Sequence, residues 1–345
     1  MSPVIRECES RSLPYSVTHT GQHYSYNMDQ VFFEELRLPK PRHNLRVGSG
    51  THAEETGRIM IGVERILSEE KPDVVLVEGD TNTVLAAALA SVKLHVKVGH
   101  VEAGLRSRDM SMPEEINRIV ADHVSCYLYA PTESARRNLL DEGIDEKKVF
   151  VTGNTVVDSV RQNLNIAERE TDILDELNIN REGYVLATAH RAENVDVMER
   201  LRGILDSLEL IYREFGLPII YPVHPRTTKR MQELGLNVPD GTRLIEPLGY
   251  LQFLQLERNA KIVMTDSGGV QEETCVLGVP CVTMRENTER PETLEVGSNI
   301  LVGTCPQRIF EGVRKMLAAR RNWKNPFGDG NAAGRIVDTL EGAPT

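Results

Sequence analysis

The stretch KIVMTDSGGVQEE, residues 261–273, decides the fold. Its first half is a short apolar run with the length of one buried strand. An Asp, a Ser and two glycines then turn the chain, and VQEE opens a helical pattern. Strand, tight turn and helix make one βα unit, with the glycines at the strand's carboxyl end. Gly268 and Gly269 let backbone N–H groups come close to an anion at the helix start, where unpaired donors and the helix dipole favour phosphate. Ser267 can cap that helix or donate to the phosphate. A carboxylate one turn further on, Glu272 or Glu273, suits sugar hydroxyls better than phosphate. A nucleotide satisfies both features; a capped helix with a tight turn is the plainer alternative.

The same rhythm runs outward in both directions. DVVLVEGD (73–80), VKVGHVEAG (96–104), CYLYAP (126–131) and KVFVTGN (148–154) read as strands separated by helices. YVLATAHR (184–191), PIIYPVHP (218–225), RLIEPL (243–248), PCVTMREN (280–287) and NILVG (299–303) continue the series. Continuous apolar runs fit strands of a parallel sheet buried on both faces. Two sets of βα units predict an α/β fold of two Rossmann-like doubly wound domains, over 1–158 and 159–330, with the polar stretch 159–182 as hinge. A length of 345 residues agrees with about two cores.

Hydrophobic residues at 40% and charged residues at 26% fit an ordinary globular chain, and a net charge of −11 argues against a general nucleic-acid binder. No apolar run approaches the ~20 residues of a membrane span. Five cysteines without CxxC spacing read as reduced cytoplasmic thiols. The scattered histidines lack metal spacing and no DxD occurs, so no metal site is expected.

Other candidates gather at predicted strand ends, where open α/β sheets bind ligands. His190 and Arg191 end the strand in ATAHRAEN, and His190 is a candidate acid or donor to a leaving phosphate. Arg290 in MRENTERPE is placed to clamp a second phosphate. The first half offers acids: Asp80 in GDTNT, Glu102 in HVEAGLR and Glu114 in MPEEINR, with Arg118 among them. Each alone is as easily structural; three together are harder to dismiss.

In this order, GDTNT, GHVEAGLRS, MPEEINR, TGN, HRAEN, TDSGGVQEE and TERPE resemble the non-hydrolysing UDP-N-acetylglucosamine 2-epimerases, over nearly the whole chain. The resemblance implies the GT-B architecture, an active site in the interdomain cleft, and a last helix, 331–345, crossing back to the first domain. It implies interconversion of UDP-GlcNAc and UDP-ManNAc by elimination and re-addition of UDP through 2-acetamidoglucal, without a cofactor, in a cytoplasmic homodimer that supplies ManNAc for surface polysaccharides. By the same likeness Asp80, Glu102 and Glu114 are the acid–base set, with the base undecided, and His190 assists departure of the diphosphate. Arg118 holds the sugar or the carboxylates. Ser267, Gly268 and Gly269 bind phosphate, Glu273 the ribose, Arg290 the diphosphate side, and Phe253 lines the uracil pocket. Gln22, His23 and Arg58 resemble parts of an activating site for a second UDP-GlcNAc.

A GT-B UDP-sugar glycosyltransferase, a hydrolysing epimerase and a non-catalytic UDP-sugar-binding protein remain as alternatives. Family members open with a strand and a GTRPE-type loop, and this chain starts past that point. A first sheet lacking its central strand is therefore expected, with reduced stability or activity.

Overall fold

The computed structural model describes residues 1–21 and 33–342. The chain divides into two compact units, Met1–Ser159 with Phe327–Thr345, and Val160–Pro326.

The first unit opens with α1 (Ser2–Ser10), which places Pro3 in its first turn, where a missing N–H breaks no helical bond. β1 (Thr18–His19) and β2 (His43–Asn44) form a two-stranded parallel ladder. α2 (His52–Glu70) starts at a capping box: Thr51 and Glu54 satisfy each other's backbone N–H. Then come β3 (Val74–Glu78), α3 (Asn82–Lys93), β4 (Lys97–Val101), α4 (Pro113–Val124), β5 (Tyr127–Ala130), α5 (Glu133–Asp141) and β6 (Val149–Val151). The four strands β3 to β6 pair in sequence order, all parallel. Among the described residues, β1 and β3 each pair on one side only.

The polar stretch 159–182 begins where the two units meet, and it is helical. α6 (Thr155–Glu170) and α7 (Ile173–Glu176) occupy it. Val157, Val160, Asn163 and Ala167 are buried at three- and four-residue spacing, so a buried and mostly apolar stripe underlies the charges that dominate the composition.

The second unit holds β7 (Val185–Thr188), α8 (Ala192–Val195), α9 (Met198–Phe215), β8 (Ile219–Pro222), α10 (Pro225–Glu233), β9 (Thr242–Ile245), α11 (Tyr250–Asn259), β10 (Ile262–Thr265), α12 (Gly268–Leu277), β11 (Cys281–Thr283), α13 (Pro291–Glu295), β12 (Asn299–Leu301) and α14 (Pro306–Ala318). All six strands are parallel, in the order β12-β11-β10-β7-β8-β9. Every residue of β10 is buried, the result of helices covering both faces. Val185, Met264 and Val282 from the sheet pack with Leu201, Leu208, Ile309 and Val313 from α9 and α14. Each such side chain contributes about 1.5–3 kcal/mol on burial. The strand order reverses between β7 and β10, so the carboxyl ends of those two strands flank a topological switch point, where sheets of this kind bind ligands.

α15 (Ala332–Glu341) belongs to the first unit. Ile336 and Val337 pack with Val4, Val101 and Tyr129. Asp158 accepts from the N–H groups of Ala332 (3.2 Å) and Ala333 (3.0 Å), serving as an external cap for that helix.

Candidate functional site

At the switch point of the second unit, β7 runs into Ala189–His190 and β10 into Asp266–Ser267. Asp266 is fully buried and ties the two ends together. Its carboxylate accepts from the N–H groups of His190 (3.1 Å) and Arg191 (3.0 Å) and from Asn194 Nδ2 (3.1 Å). His190 Nδ1 lies 3.1 Å from the same carboxylate, while the ring is half exposed. Nδ1 is thus the ring nitrogen turned to the carboxylate, and Nε2 has no partner among the described residues. Burial alone would raise the Asp266 pKa; His190 and the donated N–H bonds hold it below the usual value. Nothing in the local sequence marks Asp266, which reads there as an ordinary strand end.

α12 begins at the two glycines, with Ser267 as N-cap residue. The Ser267 side chain makes no capping bond, so of its two expected duties only an outward one is open to it. Neither Gly268 nor Gly269 has positive φ, so backbone strain does not require them. Space does at Gly268: a Cβ there would stand 2.5 Å from Glu289 Oε1. Glu289 is itself 4% exposed and held by Arg285 at 3.0 Å. Burial would raise its pKa, but Arg290, Arg285 and Arg191 lower it to about 2. At Gly269 a Cβ meets nothing nearer than Ser267 Oγ at 4.0 Å, an opening beside the helix start.

Gln271 staples the neighbouring loop to this turn: its Oε1 accepts from Thr288 Oγ1 (2.7 Å) and its Nε2 donates to the Ser267 carbonyl (3.1 Å). Arg290 is buried, with Nε 2.7 Å from Glu272. Glu272 is therefore occupied by an arginine, while Glu273 is half-buried, with Tyr250 OH donating to its Oε1 at 3.0 Å. Phe253 stands partly exposed one turn along α11 from Tyr250. Gly268→Ala is expected to weaken UDP binding about tenfold, because the added methyl displaces Glu289 and the arginines it orders; titration calorimetry with UDP checks this, and unchanged affinity refutes it.

The first unit builds a second cluster. Asp80 follows β3 through Gly79, whose φ of +85° suits glycine. Arg118, 2% exposed, donates through Nη1 to Asp80 Oδ2 and through Nε (3.0 Å) and Nη2 (2.8 Å) to Glu115 Oε2. Glu115 also accepts from the N–H groups of Ser107 (3.0 Å) and Arg108 (2.8 Å). The turn carbonyls are pinned as well: Asn117 Nδ2 donates to Asp80 O at 2.8 Å and His100 Nε2 to Gly79 O at 2.8 Å. Of the expected duties of Arg118, this geometry carries the holding of carboxylates. Glu115, the neighbour of the predicted Glu114, is the acid that secures it, and local sequence does not separate the two.

Glu102 has φ +68°, uncommon for a residue with a Cβ, and its Oε2 lies near Gly79. A non-glycine residue held at positive φ next to such a pinned turn is the kind of backbone outlier that clusters at functional sites. Glu114 is half-buried in the first turn of α4 and has no hydrogen-bond or ion-pair partner among the described residues. Arg58 is exposed on α2, with one long bond to Val47 O at 3.3 Å. Gln22 and His23 lie outside the described residues. No group of His, Cys, Asp or Glu among the described residues is arranged to hold a metal, and no described helix is long and apolar enough to cross a membrane.

Two parallel α/β units, one with an anion-ready helix start at a switch point and the other with an acid–arginine cluster at a strand end, agree with the GT-B class of the solved structures that the chain matches. The family profile described as UDP-N-acetylglucosamine 2-epimerase matches residues 6–341. The UDP-N-acetylglucosamine 2-epimerase of Methanocaldococcus jannaschii is 54% identical over 346 residues, covering 99% of this chain and 94% of that protein. The crystal structure of the Methanocaldococcus jannaschii UDP-GlcNAc 2-epimerase in complex with UDP-GlcNAc and UDP matches with a TM-score of 0.94, over 99% of this chain and 96% of that one. The UDP-2,3-diacetamido-2,3-dideoxy-D-glucuronate 2-epimerase of Pseudomonas aeruginosa is 43% identical, over 96% of this chain and 92% of that protein. The chain belongs to the UDP-N-acetylglucosamine 2-epimerase family.

Proposed function

We propose that the protein interconverts UDP-GlcNAc and UDP-ManNAc by inverting carbon 2 of the hexose. The proton on that carbon is not acidic, so direct abstraction and return is a poor route. Elimination avoids it: a base takes the carbon-2 proton as the carbon 1–oxygen bond breaks and UDP leaves with the electron pair. The 2-acetamidoglucal then receives a proton on the opposite face of carbon 2, while a UDP oxygen re-forms the bond to carbon 1. No electrons are exchanged with a cofactor.

The reading assigns the proton steps to Asp80, Glu102 and Glu114 and the handling of UDP to the second unit. His190, oriented by Asp266, meets the departing diphosphate through Nε2. Ser267, Gly268 and Gly269 bind phosphate at the α12 start, with Arg290 supplying positive charge behind it. Glu273 accepts from the ribose hydroxyls and Phe253 lines the uracil. Arg58 belongs to an activating site together with Gln22 and His23. A homodimer and a cytoplasmic setting complete the reading, with ManNAc going to surface polysaccharides.

The observation that carries it is the uncapped Ser267 and open Gly269 at the switch point of a Rossmann-like sheet. A proton-NMR time course of UDP-GlcNAc with the enzyme in heavy water tests it. UDP-ManNAc is expected to appear, with deuterium entering carbon 2 of both sugars. Free ManNAc, transfer to an acceptor, or turnover confined to a UDP-2,3-diacetamido-glucuronate would each replace it.

A further inference from the structure

Behind the Glu273 carboxylate lies a second acid that the proposed chemistry does not use. Glu257 sits on α11 seven residues after Tyr250, on the same face of the helix. It is fully buried, and neither of its carboxylate oxygens finds a donor among the described residues. Tyr250, on that same face of α11, reaches Glu273 on α12 directly, and the Glu257 and Glu273 carboxyls interact behind it. Among the described residues no cation offsets it. The other titratable groups acting on its surroundings are Cys281 on β11 and Tyr184 before β7. The Tyr184 hydroxyl is committed to Leu256 O at 2.6 Å, and Arg258, next in sequence, spends Nη1 on Leu277 O at 2.9 Å.

Two ionised carboxylates cannot face each other in such a place, whereas one proton between them satisfies both. We propose that Glu257 is a positioning residue that keeps this proton and donates it as a hydrogen bond to Glu273, fixing that carboxylate to accept from a ribose diol. The fully buried member holds the proton, because the partly exposed Glu273 already receives the Tyr250 hydroxyl. An ionised carboxylate has about four acceptor positions. Two are filled from behind by Tyr250 and Glu257, which leaves the rest for hydroxyls of the ligand. Burial pushes Glu273 up to about 7, and the bonds from Tyr250 and Glu257 limit the rise. Burial, with Glu273 beside it, pushes Glu257 well above the carboxylate range.

The inference rests on the assignment of Glu273 to the ribose, and the experiment separates the two. Calorimetric titrations with UDP and with 2′-deoxy-UDP are run across the pH range around the Glu273 value. Wild type is expected to favour UDP and to bind it more tightly as pH rises and Glu273 ionises. Glu257→Gln keeps an N–H donor and should retain both the affinity and the midpoint. Glu257→Leu, of similar bulk, removes the donor; UDP affinity near neutrality should fall about tenfold, with the midpoint displaced to higher pH and little change for 2′-deoxy-UDP. A folded Leu variant with wild-type affinity and midpoint overturns the proposal. Infrared spectra give a second decision independent of folding losses: at about pH 8, above the ordinary carboxyl range, wild type should show a protonated carboxyl band that Glu257→Gln lacks, and its absence from wild type also overturns the proposal. Equal preference for UDP and 2′-deoxy-UDP in wild type would instead remove Glu273 from the ribose, while the infrared comparison still decides the shared proton.

Discussion

Asp80→Asn is expected to lower kcat for epimerisation by about 10²–10⁴-fold while leaving UDP affinity nearly unchanged. The amide has the shape of the carboxylate, and its oxygen can still accept from Arg118 Nη1, so the buried Arg118–Glu115 pair keeps its partners. The turn is held from behind by Asn117 and His100 through backbone carbonyls, which the substitution does not touch. What disappears is the capacity to exchange a proton and the negative charge that follows β3. Steady-state kinetics together with UDP calorimetry check the outcome. A kcat within an order of magnitude of wild type would remove Asp80 from the proton steps. Loss of UDP binding would show that its role is structural.

The βα rhythm was legible because buried parallel strands must be apolar throughout. KIVMT and YVLAT announce themselves, and both lie in the second sheet as adjacent strands. Their adjacency was not legible. β7 and β10 are joined by a crossover of more than seventy residues, and no local pattern reports which strands pair. The switch point, and with it the Asp266 clamp on the 190–194 loop, comes from that pairing. The glycine turn was visible as a turn, but the reason for Gly268 is Glu289, twenty-one residues later. Charge hid other parts. Glu115, Asp122 and Glu257 look in sequence like solvated helix residues, and each is buried. For Asp122 the partners that hold it, His100 and Arg106, lie on other elements, and for Glu115 the backbone N–H groups of Ser107 and Arg108 do, so local sequence reports neither burial. At 159–182 the charges marked the stretch where the two units meet, at Ser159/Val160, but not the buried positions that make it helical.

Asp122→Ala is expected to destabilise the first unit by about 3–5 kcal/mol, the cost of stranding buried charges by removing one partner. Asp122 is 1% exposed and accepts from His100 Nδ1 (2.6 Å), Arg106 Nη1 (2.8 Å) and Gly104 N (3.1 Å). His100 is fully buried, and its other nitrogen meets the Gly79 carbonyl. Both ring nitrogens thus face acceptors, so both carry hydrogens and the ring is an imidazolium. Burial would depress the His100 pKa, but the Asp122 carboxylate and the two hydrogen bonds reverse that and raise it. Burial would raise the Asp122 pKa, and His100 and Arg106 bring it below the usual value. The two linkages have opposite signs. The Asp122 contribution is complete above its unfolded value near pH 4 and fades as pH falls through the depressed folded value. The His100 contribution is complete below its unfolded value near 6.5 and fades as pH rises through the raised folded value. Stability from this pair is therefore greatest between about pH 4 and 6.5 and declines on both sides. Thermal melts across pH should show both limbs in wild type. In Asp122→Ala both should flatten, with Tm lowered by roughly 10 °C. Since His100 and Asn117 pin the turn that carries Asp80, kcat should fall at temperatures well below the melt. A variant that melts like wild type, with an unchanged pH profile, would mean that the carboxylate stabilises neither the imidazolium nor the turn.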